Sequence, residues 1–297
     1  MSWFLLAIAA QVLATCAVLI DKAVISRHNP HPLTLLSMVG LSNLLLAVVL
    51  LLARGWPNVG LGYLVAALGS GVLLVSYLVP YFIALQRSDA SAVGTLFQLS
   101  PLWTLLLAAI FLAERPDALQ YVGFAIVLAG AISIELASGP FRPHFATIGL
   151  MAGASLLAAV GAVLAKHAYA GAGFWDATLF VSLGAVGGAA VAVALSPSRM
   201  EILRQLPSLP ASVFGAIAMA EGLNLGFEVL YLRAISRGPS VALVSVTEGV
   251  QPALLVVGAA LLSKSWPKVF DEKTDRRTLS KRLAGAVIVF AGLGMLQ

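Results

Sequence analysis

Tyr81-Phe-Ile-Ala84-Leu-Gln-Arg87 returns 150 residues later as Tyr231-Leu-Arg-Ala234-Ile-Ser-Arg237. Each copy closes an apolar run. Around this pair other matches fall in order. Leu13-Ala14, Lys22, Thr34 and Gly40 match Leu157-Ala158, Lys166, Thr178 and Gly184 at an offset of 144. Pro101 matches Pro252 at 151, and Gly123-x6-Gly130 matches Gly285-x6-Gly292 at 162. The offset grows slowly along the chain, as it does when two copies of one unit diverge by loop insertions. The repeat divides the chain into residues 1–140 and 141–297.

The copies are built from apolar runs. Hydrophobic residues make up 60% of the 297 residues, charged residues 10%, and the mean hydropathy is +0.97. A soluble domain is roughly 45–50% apolar and about 25% charged, so a soluble enzyme and a disordered chain are both excluded. A bilayer-crossing helix takes about 20 apolar residues. Ten stretches qualify: Trp3–Ser26, Pro32–Ala53, Gly60–Gln86, Ser91–Leu112, Leu119–Ala137, Ala146–Tyr169, Ala177–Leu195, Ala211–Ile235, Ser240–Leu262 and Leu283–Leu296. Barrel strands would alternate in polarity over about ten residues, and these runs are continuous. The first lacks the basic start of a signal peptide, so it reads as a helix. Trp3, Trp56, Trp175 and Trp266 fall at segment ends, where interfacial anchors belong. The fold expected is all-α and polytopic, with ten transmembrane helices. Five spans per half is an odd number, so the second half enters from the opposite side and the repeat is inverted.

The net charge of +5 and pI of 9.6 do not point to nucleic acid. Lys264 to Arg282 holds seven Lys/Arg against three acids, which suits a loop facing lipid headgroups. One cysteine, Cys16, excludes a disulfide framework and a Cys-based zinc site. His28, His31, His144 and His167 are too scattered for a metal cluster. No P-loop, Gly-x-Ser-x-Gly or His-Glu-x-x-His occurs, and Gly60-Leu61-Gly62 lacks the third glycine of a dinucleotide fingerprint. No metal or cofactor is expected. Gly149-x3-Gly153 and Gly184-x3-Gly188 have the spacing of helix-packing faces.

Segments three to five read Tyr81-Phe-Ile-Ala-Leu-Gln-Arg-Ser-Asp-Ala-Ser-Ala, Leu99-Ser-Pro101, Leu112-Ala-Glu114, then Gly123 and Gly130. This pattern resembles the EamA-type members of the drug/metabolite transporter superfamily. The resemblance runs through both halves. It departs after segment nine, where Ser263-Lys264-Ser265 replaces the expected small-Gly-Glu and a charged insertion follows. The resemblance implies a ten-helix secondary transporter of small metabolites or drugs, often an exporter. It also implies a central cavity between helices three, four, eight and nine.

The residues give those same segments polar faces. An ionisable group inside a span costs roughly 2.5–3.5 kcal/mol on insertion scales, so it should face the bundle interior. Segment eight carries Glu221, Asn224, Glu228 and Tyr231 on one face, by their spacing of three, four and three. Segment nine carries Thr247, Glu248, Gln251 and Pro252. Segment four carries Ser91, Thr95, Gln98 and Pro101, with Phe97 and Trp103 as aromatic surface. Segment three adds Ser70, Tyr77 and Tyr81. Pro101 and Pro252 are expected helix breaks, since proline leaves the carbonyl one turn back without its donor. The substrate-binding set is therefore Tyr77, Tyr81, Thr95, Gln98, Trp103, Asn224, Glu228, Tyr231, Thr247, Glu248 and Gln251. Glu248, Glu228 and Glu221 are the candidates for proton coupling, because a carboxyl cut off from water favours its neutral form. The competing reading pairs Glu221 or Glu228 with Arg233, Lys22 or Lys166 as structural ion pairs. Glu135 is expected to reach the interface, Asp21 to pair with Lys22, and the repeat-related Lys22 and Lys166 to snorkel.

Two arguments on orientation conflict. The terminal side holds Arg54, Arg115, Lys166, Arg233 and Arg237, which is five, and the other side holds the remaining thirteen of 18. The positive-inside rule then puts the termini outside. The family resemblance implies cytoplasmic termini. The last loop alone supplies the imbalance, so the family orientation is adopted. The whole reads as a proton-coupled carrier, not an enzyme, in a bacterial cytoplasmic (inner) membrane. It exports a small-molecule metabolite such as an amino acid or amine by alternating access. Its partners are substrate, protons and the lipid bilayer, with no nucleic acid, and its oligomeric state stays open between monomer and homodimer. Movement of a lipid-linked molecule between leaflets, and a non-transporting sensor subunit, are the alternatives.

Overall fold

The computed structural model describes residues 2–28, 32–88, 90–138, 144–196, 210–262 and 276–296. They form ten rods: α1 (Trp3–His28), α2 (Pro32–Arg54), α3 (Leu61–Ser76) continued by α4 (Leu78–Arg87), α5 (Ala90–Phe97) continued by α6 (Leu99–Phe111), α7 (Ala118–Ser138), α8 (Phe145–Gly171), α9 (Phe174–Ala194), α10 (Ala211–Arg237), α11 (Val241–Val246) continued by a 3-10 turn (Thr247–Val250) and α12 (Gln251–Leu262), and α13 (Arg276–Gly294). There is no strand among the described residues. Nine rods are long and apolar enough to cross a membrane unaided. The tenth, α13, carries Arg276, Arg277, Lys281 and Arg282 in its first two turns. The protein is an all-α, polytopic integral membrane protein. Trp266 and the charged loop with Lys264 lie outside the described residues, as do His31 and Arg142.

In lipid every backbone polar group must find its partner within the protein, which makes helices obligatory. The breaks therefore need causes, and three prolines supply them. Pro80 has no N–H for Ser76, and the helix is interrupted at Tyr77. Pro101 follows the joint at Gln98, whose N–H turns to the Thr95 carbonyl at 3.3 Å. Pro252 follows the 3-10 turn, and the Gln251 N–H takes the Glu248 carbonyl that proline abandons.

Apolar burial does not hold helices together in lipid, so close backbone approach must. Glycine provides it where α3 crosses α9. A methyl group on Gly71 would land on the Val181 carbonyl, and one on Gly184 on the Leu68 carbonyl. The contact between α7 and α13 is reciprocal. A Cβ on Gly123 would sit 2.9 Å from the Gly292 carbonyl oxygen, and one on Gly292 would sit 2.9 Å from that of Gly123. Gly130 and Gly285 oppose each other in the same manner, at 2.9 and 3.1 Å. Of the two small-residue spacings, Gly184-x3-Gly188 is a packing face against Leu68 and Val72, whereas Gly149 and Gly153 face open space.

These contacts predict a graded response. Gly130→Val should lower stability in detergent by about 1–3 kcal/mol, the usual cost of overpacking. Gly149→Ala should stay within about 0.5 kcal/mol. Thermal melting followed by size-exclusion chromatography checks both; equal melting of the two variants would contradict the contact.

Candidate functional site

Each broken rod brings one polar or aromatic group to the seam between the two halves. The α3–α4 joint is Tyr77 itself. Its ring stacks on Phe97, the last residue of α5, at 5.5 Å between centroids, and Tyr81 meets the same Phe97 edge-on at 5.6 Å. From the other half, α10 runs unbroken and presents Glu228 and Tyr231 one turn apart. The Tyr231 hydroxyl donates to Glu248 Oε1 at 2.5 Å, and Phe227 stacks on Tyr231 at 5.4 Å. Asn43 of α2 donates from Nδ2 to Glu228 Oε2 at 3.1 Å. Tyr77 lies within electrostatic reach of both Glu248 and Glu228. Two carboxylates therefore stand on one side of the seam, opposite an aromatic shelf of Tyr77, Phe97 and Tyr81.

The other expected residues are placed as follows. Gln98 and Gln251 are half-buried at the two joints, and Pro101 and Pro252 are buried behind them. Thr247 is fully buried and spends its hydroxyl on the Val244 carbonyl at 2.7 Å, so it belongs to the bonding of the broken helix. Thr95 supplies the carbonyl that receives Gln98. The indole N–H of Trp103 is enclosed with no hydrogen-bond acceptor. Asn224 donates to Glu221, two turns before Glu228 on α10. The side chain of Ser91 lies outside what is described.

Several basic residues expected as ion-pair partners are engaged elsewhere. Arg233 lies over the Phe174 ring at 4.5 Å. Lys166 does not snorkel. Its ammonium donates to the Ile235 and Gly238 carbonyls at 2.9 and 2.5 Å, closing the C-terminal end of α10. Beside it Glu114 Oε2 accepts the Val241 N–H at 2.8 Å and so caps the start of α11 from the end of α6. The helix dipole favours both, a cation at a C-terminus and an anion at an N-terminus. Glu135 does not reach the interface either. Its carboxylate fills the gap left by the missing side chain of Gly94, and it acts electrostatically on Tyr81.

The two ends of the bundle differ. At the terminal end one buried cluster joins α1, α3, α6, α8, α9, α10 and α11, with Ala7, Ala67, Ala165, Ile235 and Val241 all fully enclosed. At the other end the described residues fall into separate groups. Ile20, Met38, Val213 and Ile217 tie α1, α2 and α10 together. Ala84, Val93, Met151 and Ala154 tie α4, α5 and α8. Leu36, Val75, Leu78 and Ala189 tie α2, the α3–α4 rod and α9. The glutamates at the seam thus sit above the large cluster of the terminal end, with only smaller clusters on the other side among the described residues.

The first half of the chain matches a known family. Residues 1–136 match the model of the EamA-like transporter family. The matched residues supply Asn43, Tyr77, Tyr81 and Phe97, and Glu228, Tyr231 and Glu248 come from outside them. Among solved structures, 28 chains match. One, described only as the crystal structure of a protein, superposes with a TM-score of 0.71 at 18% identity. The match covers 99% of this chain and 95% of that one, and at this identity it speaks to the fold alone. No curated protein matches.

The floor of the seam depends on Lys166. Hydrogen bonds to a charged group are worth about 1.5–3 kcal/mol each. Losing even one of them should make the terminal end open at least about tenfold more often. In a Cys16→Ser background, Val244→Cys should react slowly with a water-soluble maleimide, and adding Lys166→Met should raise that rate at least about tenfold. An unchanged rate would show that the seal does not rest on the lysine.

Proposed function

We propose that the chain is a proton-coupled secondary transporter that exports a small amine or amino acid across a bacterial inner membrane, with cytoplasmic termini. The carrying observation is the Tyr231–Glu248 and Asn43–Glu228 arrangement opposite the Tyr77–Phe97 stack. A primary ammonium is attracted by carboxylates, and an aromatic face adds about 0.5–2 kcal/mol of cation–π attraction. The same carboxylates repel a strongly anionic substrate. Protonation of Glu248 or Glu228 competes with a cationic substrate for the same negative charge, so one can drive the release of the other.

Alternating access follows if the two halves rock about the seam. We read the halves as inverted repeats of five helices. Repeat positions Gly123 and Gly285, and Gly130 and Gly292, exchange roles in the reciprocal α7–α13 contact, as a two-fold axis through that contact requires. The present arrangement is closed at the terminal end, and its mirror image closes the other end.

A second reading has one observation in its favour. An apolar cleft of about 360 Å³ lies between α1, α2 and α10, lined by Leu13, Leu46, Leu225, Gly226, Val229 and Leu230. Such a side opening suits an amphipathic or lipid-linked substrate arriving from the bilayer.

Metabolite profiling of the medium separates the readings. Cells overproducing the protein should accumulate a cationic or zwitterionic compound outside. The Glu248→Gln variant, equally abundant in the membrane, should abolish at least nine-tenths of that accumulation, as should a protonophore. Full export by Glu248→Gln would contradict proton coupling through that group. An unchanged medium with an altered lipid profile would favour the second reading.

A further inference from the structure

One half-buried carboxylate takes no part in the site above. Glu135 of α7 lies on the backbone of α5: a Cβ on Gly94 would stand 2.8 Å from its Cδ and 2.9 Å from each carboxylate oxygen. Gly94 and Phe97 are one turn apart on a helix of eight residues, so what sets the position of one sets that of the other. Phe97 in turn holds the rings of Tyr77 and Tyr81. One turn before Glu135, on the same face of α7, Ala131 meets the 3-10 turn. A Cβ on Gly249, the residue after Glu248, would stand 3.2 Å from Ala131 Cβ and 3.0 Å from Val127 Cγ1. Helix α7 therefore touches both sides of the seam, the turn that carries Glu248 and the short helix that carries Phe97. It is itself fixed by the reciprocal glycine contact with α13.

We propose that Glu135 is a specificity-determining residue that acts by position: its carboxylate, seated on Gly94, spaces α5 from α7 and so sets the gap between the Phe97 shelf and Glu248. This deepens the amine reading of the seam and rests on it, because the width of the gap decides how bulky an amine fits between acid and shelf.

The plain alternative is a side chain that fills space and swings aside when crowded. Two observations oppose it. The neighbours of Glu135 on α7 are Ala131, Ile134 and Leu136, so leaving the seat takes a carboxylate to apolar surface, at roughly 2.5–3.5 kcal/mol on insertion scales. From the other side Arg282 of α13 is buried and acts on Glu135 electrostatically. A Cβ on Gly285, one turn on from Arg282, would stand 2.6 Å from Ile134 Cγ1, which sets the two charged residues level. Glu135 is thus held from α13 and bears on α5. A methyl group at position 94 needs a carbon contact of about 3.5–4.0 Å, so α5 should retreat by about 1 Å and carry Phe97 away from Glu248.

Fluorine NMR tests the spacing without any substrate. The full-length protein is labelled with 3-fluorotyrosine at its six tyrosines and held in lipid nanodiscs. Tyr77→Phe assigns the Tyr77 resonance, which reports the stack on Phe97. Gly94→Ala should shift it. Glu135→Asp, one methylene shorter, should shift it without any change at Gly94. The double variant should return it close to the wild-type position, because the two changes offset each other. Gly149→Ala, on a face with open space, should leave it in place. Monodisperse elution confirms folding of each variant. In proteoliposomes, transport of tritiated phenylethylamine against ethylamine reads the gap. Gly94→Ala should raise the preference for the larger amine roughly tenfold, the worth of one methylene in a fitted pocket, and the double variant should restore it. A Tyr77 resonance unmoved by Gly94→Ala, or not restored in the double variant, overturns the spacing role. A restored resonance with an unchanged amine preference overturns the specificity role. If the resonances behave as expected and the wild type carries neither amine, Glu135 still positions the shelf and the amine reading fails.

Discussion

Lipid offers no hydrogen bonds, and the architecture depends on that. A helix may break inside a bilayer only where the freed backbone groups find protein partners or water. Pro80, Pro101 and Pro252 break three rods, and all three breaks face the same seam. The Gln98 N–H and the Gln251 N–H pick up carbonyls within their own joints. The breaks also bend the polar groups of four rods toward one another. Tyr77, Phe97 and Glu248 meet because the helices carrying them are interrupted, while α10, which carries Glu228 and Tyr231, stays straight and acts as the common backing.

The seal at the terminal end rests on complementary helix ends. Lys166 supplies donors to a C-terminus that has spare carbonyls, and Glu114 supplies an acceptor to an N-terminus that has a spare N–H. The repeat places Lys22 at the position matching Lys166, but Ser263-Lys264-Ser265 stands where the match to Glu114 would fall. One end therefore has both elements of the latch in its sequence and the other has only the lysine. That asymmetry accounts for a bundle whose terminal end is the closed one.

The spans were legible in the sequence because a bilayer enforces long apolar runs, and the carboxylates at 221, 228 and 248 stood out because such groups are expensive there. Pro101 and Pro252 were equally plain. Pro80 carries the same signal, between the two tyrosines of that span. Asn43 gave no pattern, being one amide in an apolar helix, and its link to Glu228 spans 185 residues. The Lys166 and Glu114 contacts were hidden for the same reason. They join positions 69 to 127 residues apart whose proximity depends on how helix ends stack. Glu135 was misplaced because its proper neighbour is an absence, the side chain that Gly94 lacks.

The central claim is that a floor closed at one end and an opening at the other exchange during transport. Pairs of spin labels measure this directly in a Cys16→Ser background. One pair goes at Arg115 and Pro239 across the terminal end, and one at Arg87 and Ser212 across the other. The account predicts a short terminal distance and a long opposite one at rest, with a second population in which the terminal distance lengthens as the opposite one shortens when the proton gradient is reversed. Two fixed distances under every gradient, or two that lengthen together, would contradict it.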